Sequence, residues 1–503
     1  MNTPTRSAKI ILAAICLAAL VLPMSFTGGA VATPFIGQAF AASPTQLAWI
    51  TNAFMLSFGS LLMAAGSLAD LYGRKRLFIG GIGLFALASL LLAGAPDMLW
   101  LDLQRAVQGV AAAAALAGGT AALAQEFEGH ARTRAFSLLG TTFGVGLAFG
   151  PLLSGLLIEW LGWRGIFLFT ALLAIVSLGF AWPTLRESRN ANAQRLDTPG
   201  VLTFSALLVA FTSAVILAPE HGWDAPLTLA LLGVSALLGG LFIWVETRAK
   251  QPMLELQLFR FPRFVGVQIL PIGTCYCYIV LIVLLPIRLI GVEGASAFDA
   301  GLTMLALSAP MLVVPMLAAT LTRWWSAGRL CTLGFVMAAS GLYWLSALTG
   351  AAHWQTLAAM LLVGAGAAIP WGLMDGLALS VVPKERAGMA AGIFNTTRVA
   401  SEGVALAITV AVLSALVAHH LRLATASSDV SDIARHLVMG DLQHAGQIPL
   451  EVLRSAYSAG FNTLLQWLAL FTLLTAVIVY VFLGRQGDVA TARKECVTTG
   501  AAP

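Results

Sequence analysis

The chain has 503 residues, of which 59% are hydrophobic and only 10% charged, with a mean hydropathy of +0.87. Water-soluble domains carry roughly 25% charged residues, so a soluble protein of this size is excluded for want of charges to coat its surface. The formal charge of +5 sits in short loops between apolar runs, with no basic patch and no basic helix, which argues against nucleic acid as a partner.

Apolar stretches of about 20 residues recur along the chain, the length that crosses a hydrocarbon layer at about 1.5 Å rise per residue. In chain order they predict spans at 10–32, 46–66, 77–95, 100–125, 134–158, 165–183, 198–217, 226–246, 264–285, 298–320, 330–350, 355–382, 389–416 and 461–483. The fold class is therefore all-α integral membrane, with about fourteen transmembrane helices and both termini on one side. Arg6 and Lys9 before the first run, and Ala39-Phe40-Ala41 after it, imitate a secretion signal. The run from Ile10 to about Ala32 is too long for a signal core, and it is read as an uncleaved first helix.

Basic residues orient the chain. Twenty-one of the 28 Lys and Arg fall in segments on the side of the N-terminus, five (Arg164, Arg288, Arg422, Arg435 and Arg454) on the other, and Arg105 and Arg398 within spans. The positive-inside rule then makes both termini cytoplasmic, and the plasma-type membrane it implies is expected to be a bacterial inner membrane. Trp100, Trp160, Trp163, Trp223 and Trp354 fall near the predicted outer ends, as an aromatic belt would. The organisation expected is an N-terminal six-helix bundle over 1–184, two inserted transmembrane helices with cytoplasmic loops over 185–260, a C-terminal six-helix bundle over 261–484 that includes a periplasmic loop at 417–460, and a cytoplasmic tail at 485–503. A weak internal echo supports the two halves. Gly66-Ser-Leu-Ala-Asp70-Leu-Tyr-Gly73-Arg74-Lys75-Arg76-Leu77 returns faintly as Ala319-Thr-Leu-Thr-Arg-Trp-Trp-Ser-Ala-Gly-Arg-Leu330, and repeated halves around a central site are the usual build of secondary transporters.

Other chemistries find little support. The five cysteines are Cys16, Cys275, Cys277, Cys331 and Cys496; four lie in spans, so no disulfide framework is implied. The seven histidines form no ligand pattern with spaced acids, so no metal is expected. No phosphate-binding loop of the G-x-x-x-x-G-K type is present, which disfavours an ATP-driven pump, and no nucleophile–base constellation points to an enzyme. No cofactor is expected.

Three segments carry more specific signals. In 66–77, Gly66 permits close helix approach, Asp70 can accept from a neighbouring helix N-terminus or pair with arginine, Gly73 turns the chain, and Arg74 with its basic neighbours holds the loop inside; the alternative is a loop that serves topology alone. In Leu101-Asp-Leu-Gln-Arg105-Ala-Val-Gln108-Gly109, a guanidinium inside a bilayer is costly by about 2.5–3.5 kcal/mol and normally faces a partner or cavity, unless Arg105 snorkels to the outer interface. In Gly144-Val-Gly146-Leu-Ala-Phe-Gly150-Pro151-Leu-Leu-Ser154-Gly155, the glycines allow close packing and Pro151 bends the backbone; generic small-residue packing is the alternative.

Together these segments resemble the major facilitator superfamily, and within it the fourteen-helix drug:proton antiporter family. The first is similar to G-x-L-a-D-r-x-G-r-k-x, the second to l-x-x-x-R-x-x-Q-G, and the third to g-x-x-x-G-P-x-x-G-G with Ser154 in place of one glycine. Trp163-Arg164-Gly165-Ile166-Phe167 is similar to the W-R-x-I-F that follows. The resemblance implies two rocking bundles, a cytoplasmic gate latch at Gly66, Asp70, Gly73 and Arg74, and proton coupling at Arg105. It also implies an antiporter-like element at Gly146, Gly150, Pro151 and Gly155, and proton-driven export of drugs or other small amphipathic compounds. The implied partners are a small-molecule substrate, protons and the lipid bilayer; a periplasmic adaptor and outer-membrane channel stay open, as does a narrow metabolite carrier on the same fold.

The resemblance breaks in helix one. The family pattern L-D-x-T…N-V-A-L-P meets Met24-Ser25-Phe26-Thr27 and Ala30-Val-Ala-Thr-Pro34, so the acid is Ser25. Two acids expected to be buried in the C-terminal half are the substitutes, with Asp375, alone or together with Glu402, expected to carry the proton: Asp375 lies in the twelfth span, with no local partner evident, and Glu402 in the thirteenth, one helical turn from Arg398 and therefore alternatively a structural ion pair. A carboxylate that is costly to ionise in a bilayer titrates within reach of a physiological proton gradient. Phe26, Tyr276, Trp371 and Met374 are candidates to line a substrate cavity, with core or lipid-facing positions as the alternative.

Overall fold

The computed structural model describes residues 6–127, 129–189, 197–249, 252, 254, 256–348, 353–381, 387–425, 429–442 and 448–484. The tail 485–503 and the loop cations Arg195, Lys250, Lys384 and Arg386 lie outside the described residues. Among the described residues, fourteen stretches are long and apolar enough to cross a membrane.

The N-terminal half is built from α1 (Arg6–Phe40), α2 (Pro44–Tyr72), α3 (Arg74–Ala93), α4 (Met98–Glu126), α5 (Gly129–Leu161) and α6 (Arg164–Thr184). Then come α7 (Thr198–His221) and α8 (Pro226–Arg248). The ninth span runs Pro262–Val292 as α9 (Pro262–Thr274), a wider π-type turn (Cys275–Ile279), α10 (Val280–Ile287) and a second such turn (Arg288–Val292). The tenth breaks at Pro310 into α11 (Ala297–Ser308) and α12 (Pro310–Leu321), because proline removes a backbone donor and clashes with the preceding turn. The remainder is α13 (Ala327–Ala347), α14 (His353–Ser380), α15 (Ala387–Ala424), the short α16 (Val430–Val438) and α17 (Leu450–Val479).

Polar caps place the helix starts where hydropathy alone does not. Ser43 accepts from Gln46 N while Gln46 accepts from Ser43 N, a reciprocal pair at the start of α2. Asp97, Asp197, Ser296 and Ser326 each accept from a backbone N–H in the first turn of α4, α7, α11 and α13. Helices also outrun the apolar spans: the last begins at Leu450 rather than 461, and the thirteenth continues to Ala424 rather than 416.

The outward faces are apolar. Leu237 is 75% exposed on α8, and Leu473, Leu474 and Val477 are exposed on α17, an arrangement that suits hydrocarbon rather than water. Residues inside are small and closely packed. A β-carbon on Gly81 would lie 2.5 Å from Ala115 N, and one on Gly118 would lie 2.6 Å from Phe78 N, so α3 and α4 meet almost backbone to backbone.

The face that carries the α2–α3 turn is called the inner face below, and the opposite one the outer face. α7 and α8 pair with each other, and α7 packs on both α2 and α15, one from each half. The outer half of the tenth span, α11, lies along α5, whereas its inner half, α12, touches α5 far less; likewise α10 packs on α1 and α9 scarcely meets it. The two halves thus close on the outer side and part on the inner side along α1 and α5. An outer cluster of Val31, Ile36, Leu47, Ile158, Ala297, Ala407 and Met439 draws residues from both halves and seals the closed end.

Candidate functional site

Where α1, α2, α5, the ninth span and α15 face one another, a narrow cavity remains near the middle of the helices. Its walls are mainly aromatic and aliphatic, with Phe26, Phe54, Phe58 and Phe143 among them, and its charged groups are Arg398 and Glu402. Phe26 and Phe143 come from the N-terminal half, and Glu402 and Arg398 from the C-terminal half, so the cavity is assembled only when the halves meet.

Glu402 is 8% exposed and makes no direct hydrogen bond or ion pair among the described residues. The ion pair with Arg398 that helical spacing allows is not formed. Arg398 instead donates from Nη1 to Asp375 Oδ1 at 3.4 Å, across from α15 to α14. The sequence suggests a buried, partnerless Asp375; in the structure its side chain is 62% exposed and holds Arg398. The reason is the parting of the inner side, which opens that stretch of α14.

Two of the expected cavity residues lie elsewhere. Tyr276 packs on Phe471 of α17, with ring centroids 4.5 Å apart, on the side of its helix away from the cavity. Met374 is fully buried in the main core cluster. Trp371 stands below the cavity, 5.8 Å from the Arg398 guanidinium carbon. Phe26 lines the cavity itself.

Arg105 does not snorkel to the outer interface: it is fully buried. Nε donates to Ile50 O at 2.7 Å, and Nη1 to Ser25 Oγ at 3.2 Å and to Gln108 Oε1. Gln108 passes the chain on to Ser89 Oγ at 2.8 Å, and the guanidinium lies 4.6 Å from the Phe54 ring centroid. Ser25, the residue in place of the missing helix-one acid, is thus a direct partner of Arg105. Nη2 of Arg105 and Oδ1 of Asp102 are buried without hydrogen-bond partners among the described residues. Sequence reasoning misses Asp102; its position three residues before an intramembrane arginine is the signal that could have found it.

At the inner turn, Gly73 has φ +119°, a conformation that disfavours any side chain. Asp70 does not reach a helix N-terminus. It pairs with Arg74, which donates from Nη2 at 3.0 Å and from Nε at 3.2 Å. The acid at a helix start is Glu187, just past α6, which accepts from Lys75 N and Arg76 N at 3.3 Å each and pairs with Arg76 Nε at 3.5 Å. A carboxylate there satisfies unpaired backbone donors and the positive end of the α3 dipole. Gly66 does not admit a close helix as expected: a β-carbon there would meet nothing within 4 Å, so the face of α2 that carries it is open, although Ala65 and Ala69 on its other faces are buried.

The α5 segment makes contacts in both directions. A β-carbon on Gly146 would collide with Pro23 Cγ at 2.6 Å, and one on Gly150 with Thr27 of α1. Gly155 faces α11 instead, where a β-carbon would lie 2.7 Å from the Ala297 carbonyl carbon. The fit is reciprocal: a β-carbon on Gly301 would lie 2.7 Å from Leu152 Cα and 2.9 Å from Pro151 O. Gly146 and Gly150 therefore bind α5 into its own bundle, while Pro151 and Gly155 form the seam between bundles on the outer side.

Two helical bundles around a shared cavity, closed on one side and parted on the other, define a helical membrane transporter. A family model described as the Major Facilitator Superfamily matches residues 14–407, and the chain belongs to that superfamily. It is 32% identical over 387 residues to the multidrug resistance protein Stp of Mycobacterium tuberculosis, covering 76% of this chain and 72% of that one. It is 31% identical over 406 residues to the cephamycin export protein CmcT of Amycolatopsis lactamdurans, covering 79% and 83%. Among solved structures, a bacterial homologue of the human lysosomal transporter Spinster, in an inward-facing and unoccupied conformation, superposes with a TM-score of 0.69 at 15% identity, covering 95% of this chain and 97% of that one. At that identity the likeness speaks for the fold alone.

Proposed function

We propose that this chain is a secondary active transporter of the inner membrane that exports small amphipathic compounds in exchange for protons by alternating access. The observation that carries this reading is Glu402: a carboxyl group buried in an aromatic cavity between two bundles, forming no hydrogen bond or ion pair among the described residues. An uncompensated charge there is expensive, so binding and losing a proton changes the energy of the cavity, which is what coupling requires. The relatives named for multidrug resistance and for cephamycin export support the outward direction, and the α5 element supports exchange. Arg105 orders the N-terminal wall through Ser25, Ile50 and Gln108 and holds Phe54 against the cavity. Glu187, Gly73 and the Asp70–Arg74 pair form the inner latch. With its inner side parted, the structure is the state that loads substrate from the cytoplasm, where both termini lie.

The test is accumulation of a lipophilic fluorescent dye, together with tolerance to a panel of antibiotics, in bacteria making the full chain or its Glu402→Gln variant. Lower accumulation and higher tolerance, both abolished by an uncoupler and by the variant, are expected. Uptake of a metabolite with no change in dye or drug handling would replace the reading with a narrow importer.

A further inference from the structure

Asp375, Arg398 and Glu402 form a ladder along the inner half of the cavity. Arg398 and Glu402 are one turn apart on α15, about 6 Å along the axis at 1.5 Å per residue, with Glu402 on the outer side. Asp375 approaches the same guanidinium from the inner side, on α14, at 3.4 Å. An arginine side chain can reach either acid without backbone movement. The guanidinium sits inside a ring of three aromatic faces, Phe143, Trp371 and Phe394, each 5.8–5.9 Å from its central carbon. Trp371, Phe394 and both acids belong to the C-terminal half; Phe143, on α5, belongs to the other. The collar is complete only while the two bundles hold their present relation.

We propose that Arg398 is a two-position switch that pairs with Asp375 when Glu402 carries a proton and turns one helical step outward to pair with Glu402 when that proton leaves. This deepens the reading of the chain as a proton-driven exporter and rests on it for its purpose, though not for its geometry. In the present state Arg398 is turned inward and Glu402 is unpaired, which fits a protonated Glu402, since a lone buried carboxylate would be costly. When the O–H bond of Glu402 breaks and the proton passes to water on the parted inner side, a carboxylate is left, and Arg398, one turn away on the same helix, is the cation placed to neutralise it. Asp375, more than half open to water, is then left as a solvated anion at small cost. The aromatic collar keeps the guanidinium in a favourable environment during the turn, since a cation over a ring face is attracted to it. Because Phe143 supplies one face of that collar from the opposite bundle, the position of Arg398 and the relation of the bundles bias one another. That is the link a coupled transporter needs between proton and conformation.

The surroundings of Glu402 leave few other groups to do this. The ninth span offers the Cys275 thiol, which donates to Ser401 O at 3.5 Å, while its Tyr276 packs on Phe471, Tyr278 on Trp371, and the Cys277 thiol donates to Thr274 O; α14 offers Asp375; α2 offers the uncharged Asn52, 3.8 Å from where a β-carbon on Gly403 would lie. Gln268 on α9 is buried and uncharged, and α10 carries no titratable side chain. Asp70 of α2 and Arg263 of α9 stand at the inner ends of their helices, and His353 of α14 at its outer end. The titratable groups of α7, α16 and the first turns of α17, which pack against α15, namely Glu220, His221, Asp432, Arg435, His436, Glu451, Arg454 and Tyr457, are at its outer end.

The test is infrared difference spectroscopy of the purified full chain in lipid across a pH titration, with the protonated-carboxyl band assigned by its loss in Glu402→Gln. In Asp375→Asn the inward partner of Arg398 is gone, so the guanidinium is free for Glu402, and the band should disappear at a proton concentration at least tenfold higher than in the unaltered protein. Arg398→Ala should move it the opposite way. An unmoved band in both variants, with the Glu402 band still present to show an intact site, overturns the switch and leaves Arg398–Asp375 as a fixed pair. The readout needs no substrate, so it separates two failures. Gradient-driven export with an unmoved band sinks the switch alone. Shifted bands with no gradient-driven export uphold the switch and sink the exporter reading.

Discussion

Adding one methyl group at each of Gly155 and Gly301 should open the outer side of the molecule. In the present state those methyls would stand 2.7 Å from the Ala297 carbonyl carbon and 2.7 Å from Leu152 Cα. Both obstacles are backbone, which cannot swing aside as a flexible side chain does. Carbon atoms prefer separations of about 3.5–4.0 Å, so α5 and α11 must move apart by roughly 0.8 Å or more. Overpacking of this kind costs about 1–3 kcal/mol, and the cost falls only on the conformation in which the two helices touch. At about 1.4 kcal/mol per tenfold, the ratio of outer-open to outer-closed molecules rises roughly 5- to 150-fold. The assay is labelling of a reporter cysteine at Ile36, which is fully buried in the outer cluster, by a membrane-impermeant maleimide in a chain otherwise free of cysteine. The Gly155→Ala/Gly301→Ala double variant should label at least about five times faster than the parent, the lower bound of that shift. Equal, slow labelling in a double variant that is correctly inserted would show that the α5–α11 seam does not distinguish the two states.

Other consequences are simpler. Gly73→Ala forces a side chain into φ +119° and against the Glu187 carboxylate, and should abolish transport while leaving the protein in the membrane, checked by surface expression beside dye efflux. Glu187→Ala removes the acceptor for Lys75 N and Arg76 N, at a cost of about 1 kcal/mol by analogy with helix caps; it should lower the thermal midpoint in detergent by a few degrees, and Glu187→Gln should recover part of it. Arg105→Lys cannot reproduce contacts that run to Ile50, Ser25 and Gln108 at once, so it should lose export nearly as fully as Arg105→Gln. Ser25→Asp places a carboxylate beside the Arg105 guanidinium and should change the relative efflux of cationic and neutral substrates; an unchanged ratio would show that residue 25 plays no part in selectivity.

Much of the architecture is legible in the sequence because the bilayer imposes a length and a composition on each helix. The run from Ile10 to Ala32 needs no partner to be recognised as a span, and neither does the one predicted at 198–217, which α7 (Thr198–His221) contains. Helix ends are less legible, because caps such as Ser43 and Asp97 act on a few backbone donors and leave no mark on hydropathy. The site is legible only in part. Arg105, Glu402 and Phe26 stand out as a charge or an aromatic ring at an unusual depth, and depth can be counted along one helix. Which acid holds Arg398 cannot be counted that way: Asp375 is 23 residues from it in sequence and 3.4 Å from it in space. The same holds for Glu187 at the start of α3 and for Tyr276, whose direction depends on the π-type turn at Cys275–Ile279. Gly66 and Gly155 look alike in sequence, yet only Gly155 lies at a seam, since that depends on which side of the molecule is closed.

The most direct test of proton-driven export is uptake of a fluorescent lipophilic dye into inside-out membrane vesicles containing the full chain, with an imposed inside-acid gradient and with that gradient collapsed by an uncoupler. The account predicts uptake that requires the gradient and that is lost in vesicles carrying Glu402→Gln. Gradient-dependent uptake that survives unchanged in Glu402→Gln would contradict the assignment of the proton to that residue. If the properly inserted chain moves no dye under either condition, a narrower substrate must be sought.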